Sequence, residues 1–182
     1  MPLASSSETY HALVQRLVAL AAPWNSAYSD STAISVAVVF AHIAGLVIAG
    51  GFAVAADRST FRAWRAGGAA RAHHLAELHA VHRPVVAGLL LVNLSGVLLF
   101  LSDVKTYAAS AAFGVKLLLV ALLLANGLWM TRVEGTLRAD GAGPSEAGAR
   151  ADRAWRRLRF AAAASAALWI ATTFVGVVLS NG

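Results

Sequence analysis

The sequence predicts an all-α membrane protein: a four transmembrane helix bundle preceded by an N-terminal interfacial amphipathic helix, in a single membrane domain over residues 1–182. Three observations lead there. The chain is 58% hydrophobic and only 13% charged, too apolar for a soluble domain of this size. Four apolar stretches are each long enough to cross a hydrocarbon core of about 30 Å at about 1.5 Å per residue. The arginines crowd between those stretches, which fits a membrane surface and not nucleic acid, despite a formal charge of +6.

Residues Glu8 to Ala22 place Leu13, Leu17 and Leu20 on one helical face and Glu8, His11 and Gln15 on the other, behind a Ser5-x-x-Glu8 capping box. This is the interfacial helix, 8–22. Pro23 is expected to end it, with Trp24 and Tyr28 following at headgroup level. The apolar run from Ala12 to Ala22 lacks a basic start and is broken by Gln15 and Arg16, so the first span is expected to act as an uncleaved insertion signal.

The spans follow at 34–56, 84–101, 108–130 and 160–179. Inside them the backbone has no water to bond, so helix is the state that isolated apolar runs adopt. The alternation a barrel needs is missing. Ala41, Gly45, Ala49 and Ala53 on the first span, and Gly88 and Gly96 on the second, form small-residue faces that let helices approach closely.

The connection after the first span carries Arg58, Arg62, Arg65, Arg71 and Arg83. The one after the third carries Arg132, Arg138, Arg150, Arg153, Arg156, Arg157 and Arg159. By the positive-inside rule both face the cytoplasm, which leaves the N- and C-termini periplasmic. Within the second connection, 135–150 is rich in Gly, Ala and Pro and is expected to be a flexible cytoplasmic loop.

Composition excludes several chemistries. Cysteine is absent and only Met1 and Met130 occur, so disulfides, thiolate sites and a soft-ligand Cu(I) relay have nothing to be built from. No Gly-rich phosphate loop, Gly-x-Ser-x-Gly or His-Glu-x-x-His is present.

Polar residues within a span are costly and mark candidate sites. Counted from the outer end of each span, His42, Asn93 and Lys116 all lie about 12 Å deep, with Thr172 and Thr173 at about 9 to 10 Å. The expected cofactor-binding set is therefore His42, Lys116, Asn93 and Thr172. His42 is the candidate ligand of a haem iron or proton carrier, and Lys116 the partner of a carboxylate or propionate. A second cluster, His73, His74, Glu77, His79 and His82, offers His79 and His82 at i, i+3 as a candidate divalent metal pair. His82 lies roughly 15 Å deeper than His42, so one iron cannot take both. Asn126 is expected to bond across helices.

The segments Phe40-Ala-His-Ile-Ala-Gly-Leu, Ala-Ala-Asp57-Arg58, Gly96-Val-Leu-Leu-Phe, Phe113-Gly-Val-Lys116-Leu-Leu-Leu and Asn126 resemble the CopD/HemJ-like group of small bacterial membrane proteins. The likeness covers roughly residues 34–130. It implies a four-helix core in the bacterial inner membrane. In HemJ-type protoporphyrinogen oxidases a first-helix histidine and a third-helix lysine matter and haem b is bound; His42 and Lys116 match those positions. The chain has Ala-Asp57-Arg58 where that type has a Pro-Arg pair, and lacks its first-helix tryptophan motif. The resulting expectation is a haem- or porphyrin-associated redox protein in the lipid bilayer, with haem b as cofactor. The alternative is a non-catalytic accessory subunit of a larger respiratory or photosynthetic complex, or a homo-oligomer.

Overall fold

The structure is a computed structural model that describes residues 6–139 and 146–180, and every element in it is a helix. These are α1 (Ser6–Asp30), α2 (Thr32–Ala66), α3 (Gly68–Ser102), α4 (Val104–Ala109), α5 (Ala111–Ala139) and α6 (Glu146–Ser180). Four of them, α2, α3, α5 and α6, are long and apolar enough to cross a membrane.

Each long helix outruns its apolar span. At 35 residues each, α2, α3 and α6 are about 50 Å long, well beyond a hydrocarbon core of about 30 Å. The excess lies at the arginine-rich end, where α2 and α3 meet in a tight turn at Gly67 and Gly68. Both glycines have positive φ, 69° and 41°, which side chains with a Cβ rarely adopt. The expected loop at 135–150 is largely helical: α5 runs to Ala139 and α6 starts at Glu146. Its remaining residues, 140–145, lie outside the described chain. The reason is a buried core at this end, built from Ala63, Val133, Leu137, Ala154, Trp155 and Leu158. Apolar residues beyond the spans gain burial only if all four helices continue.

Pro23 does not end α1, nor does Pro84 start a helix; each lies inside one. A mid-helix proline loses one backbone bond. Around Pro23, tertiary contacts hold the helix onward: Trp24 Nε1 donates to the Leu98 carbonyl at 2.8 Å, and Asn25 Nδ2 donates to the Ser102 carbonyl. Tyr10 Oη donates to the Ala108 carbonyl at 2.7 Å. Thus α1 lies against α3 and α4 at the end opposite the arginines, hereafter the α4 end. Its Leu13, Leu17 and Leu20 remain exposed.

The spans pack in the order α3, α2, α6, α5, with no extended contact between α3 and α5. The α2–α3 crossing is the closest. A Cβ on Gly88 would stand 2.6 Å from the Ala49 backbone nitrogen, and one on Gly45 would stand 2.9 Å from that of Val92. The small-residue faces are therefore a helix–helix seam. Across the α2–α6 seam, Trp169 covers Gly50 and joins Ala49 and Leu123 in a second core.

Candidate functional site

His42 is half-buried on α2, and its Nδ1 lies 3.1 Å from Ser95 Oγ of α3. The Ser95 hydroxyl has one proton, and the Leu91 carbonyl, 2.6 Å away, accepts it. Ser95 can then only accept from His42, so the ring proton sits on Nδ1. The Val92 carbonyl accepts from the same ring. A ring held at Nδ1 offers Nε2 as the nitrogen through which an imidazole can ligate a metal or take up a proton. Gly96 lies under the ring; a Cβ there would stand 3.4 Å from His42 Cε1.

Lys116 of α5 brings its ammonium within electrostatic reach of His42. Its Nζ lies 3.6 Å from where a Gly176 Cβ would stand, so it rests against α6. Among the described residues no carboxylate lies within ion-pairing distance of it. Thr172 sits one turn from Gly176 on the same face of α6. It is 5% exposed, and its hydroxyl has no hydrogen-bond partner among the described residues. A base, an ammonium and an unengaged hydroxyl thus share one layer near the α4 end. Together they suit an anionic group better than a cation.

Asn93 does not join them. It is exposed, and its amide donates to the Leu89 carbonyl of its own helix at 2.7 Å. Thr173 likewise bonds back to the Trp169 carbonyl. Ser95 is the member that the depth count missed. Serine in a span reads as an ordinary self-capped hydroxyl, and only the crossing at Gly96 sets it opposite His42.

The most deeply buried ionisable groups lie at the other end. Asp57 is 3% exposed and hydrogen-bonds Ser165, with its Oδ2 unpartnered among the described residues. His74 is 4% exposed; its Nδ1 lies 3.2 Å from Ser59 Oγ and its Nε2 2.9 Å from Thr60 Oγ1. Burial, above all, holds His74 below its ordinary value of 6.5; Glu77 opposes this and His73 adds to it. Glu134, 1% exposed, faces His82 Nε2 at 3.6 Å and Arg138 Nη2 at 3.5 Å. With Arg138 also donating to the Leu75 carbonyl, these groups tie α3 to α5.

Of the expected metal pair, His82 has its side chain described. His82 Nδ1 donates to the Leu78 carbonyl at 2.8 Å, and its Nε2 lies 3.6 Å from Glu134 Oε2. The side chain of His79 lies outside the described residues. His73 pairs with Glu77 at 3.0 Å. Among the described residues no three His, Asp or Glu side chains converge on a metal position. Asn126 bonds across helices as expected, Nδ2 to the Ala161 carbonyl at 3.0 Å. Two open apolar grooves run along α2–α6 and α5–α6, and neither contains His42 or Lys116.

Compared with family models, curated proteins and solved structures, the chain matches none.

Proposed function

We propose that this chain is a haem- or porphyrin-associated redox protein of the bacterial inner membrane, with both termini periplasmic and α1 lying in the outer interface. The observation that carries it is His42, held at Nδ1 by Ser95, within electrostatic reach of a Lys116 ammonium that has no carboxylate partner among the described residues. A lone cation at hydrocarbon depth is costly and calls for an anion. The donor set fits haem b or a porphyrin: one imidazole nitrogen for iron or proton, one ammonium for an acidic side group, and one hydroxyl, that of Thr172. A haem would supply one-electron transfer. The protein's part is to orient: Ser95 fixes the ring of His42, Gly96 leaves its face open, and Lys116 holds the acidic group.

The test is an absorption spectrum of the protein purified from haem-replete cells. The expected result is a coloured protein with a dithionite difference spectrum, with bound haem falling at least tenfold in His42→Ala, about the loss of 1.4 kcal/mol or more of binding. Colourless wild-type protein without a difference spectrum overturns the reading.

The accessory-subunit reading draws on α5, where only 6% of the most apolar stretch is buried. Such a face suits a partner subunit or a second copy as well as lipid. Migration after gentle extraction in native electrophoresis separates these, since a monomer-sized band removes the partner.

A further inference from the structure

The groove between α5 and α6 ends in two arginines that the redox reading does not use. On α5, Leu122, Ala125, Trp129 and Arg132 follow one another at spacings of three and four, and so line one face. On α6, Arg157, Phe160, Ala164 and Ala167 do the same in the opposite direction. The two faces meet: Leu122, Ala125, Trp129, Ala164 and Ala167 line a shared groove, and Trp129 and Phe160 touch edge to face with centroids 6.2 Å apart. Arg132 and Arg157 each leave their helix three residues beyond that contact, about 4.5 Å further towards the basic end. Both are exposed, and among the described residues neither has a carboxylate within ion-pairing distance.

We propose that this groove is a binding site for an anionic phospholipid of the surrounding membrane, its acyl chain on the alanine floor and its phosphate between Arg132 and Arg157. Charge complementarity and order of polarity select that occupant. Alanines on α6 floor an open apolar groove, two aromatic rings stand at its basic end, and two guanidiniums follow beyond them, the order of acyl chain, glycerol and phosphate in a lipid. A zwitterionic lipid supplies the chain without net charge, and a free phosphate supplies the charge without the chain. The site does not depend on haem.

Native mass spectrometry of the full chain in mild detergent tests it, with phosphatidylglycerol and phosphatidylcholine of identical acyl chains as probes and glycerol 3-phosphate as competitor. Wild-type protein is expected to prefer phosphatidylglycerol by roughly 10- to 30-fold, the attraction of two arginines near an anionic surface. The preference should collapse in Arg132→Gln/Arg157→Gln and persist in Arg58→Gln/Arg62→Gln, which removes the same charge from exposed positions on α2. Ala164→Leu/Ala167→Leu should weaken retention of both lipids with the arginines intact. Equal loss in the two arginine pairs overturns the proposal by making the effect one of general charge. So does displacement of the lipid by glycerol 3-phosphate at equal concentration, because the groove would then contribute nothing.

Discussion

At His74 two hydroxyls are placed so that they can satisfy a neutral ring. Ser59 and Thr60 each face one ring nitrogen, and each also reaches the Ala56 carbonyl, at 2.8 and 3.0 Å. Two hydroxyls carry two protons, so if one donates to Ala56, the other can donate to a bare ring nitrogen while the ring N–H donates back. A neutral imidazole satisfies every group without a counter-ion. Burial favours the same form by holding the histidine below 6.5. Protonation is therefore easier in the unfolded chain, and this contribution to stability is present above 6.5 and lost as pH falls from there towards the lower folded value. Protection factors for hydrogen exchange at the Gly67–Gly68 turn, corrected for the intrinsic pH dependence of amide exchange, are expected to fall between pH 7 and 5 in the wild type, and not in His74→Gln. An unchanged pH response in that variant would show that another group titrates.

Among the elements, the α2–α3 pair depends on the absence of side chains. Valine at position 88 would drive a methyl-bearing carbon into the Ala49 backbone, where a Cβ alone already stands at 2.6 Å. Backbone cannot yield as a flexible side chain does, so the helices must separate along the seam that also holds His42 against Ser95. Gly88→Val is expected to cost about 1–3 kcal/mol in detergent unfolding titrations, as overpacking does. Gly114→Val, where a Cβ meets nothing within 4 Å, is the control. Similar losses in both would point to helix propensity and not to the seam. The same seam explains why Asn93 and Ser95, two residues apart, differ so much. Ser95 faces α2, whereas Asn93 is turned away by the helical repeat.

For the molecule as a whole, the basic end is a packed cap and not a set of loops. Trp155, 3% exposed, lies against His74 with ring centroids 6.2 Å apart and beneath the Arg71 guanidinium at 5.4 Å. Arg71 also pairs with Asp152 at 3.0 Å, and Arg159 lies 4.0 Å from the Trp64 ring centroid. Trp155→Ala is expected to remove about 3–5 kcal/mol by truncating a large buried ring. Limited proteolysis reads it out: cleavage should appear within 60–80 or 130–160, while the apolar spans stay intact. Unchanged resistance would mean that the cap contributes little. This cap also closes α3 and α5 at one end only, so the layer of His42 and Lys116 lies where these two helices have no extended contact.

The number of spans, their rough limits and the layer of His42 and Lys116 were legible in the chain. Hydrocarbon imposes length and apolarity on each helix separately, and helix rise converts position into depth. Rotation of each helix about its axis and the pairing of helices were not legible. Within apolar runs nearly every residue suits lipid and a neighbour equally, so the pattern carries almost no angular information. Only packing decided that Ser95 rather than Asn93 meets His42. Only packing turned 135–139 and 146–150 into helix, carried α1 past Pro23, and buried Asp57, His74 and Glu134 where the arginines alone suggested a solvated loop. Burial of a polar group depends on what several helices bring to it at once, and no single stretch of sequence contains that.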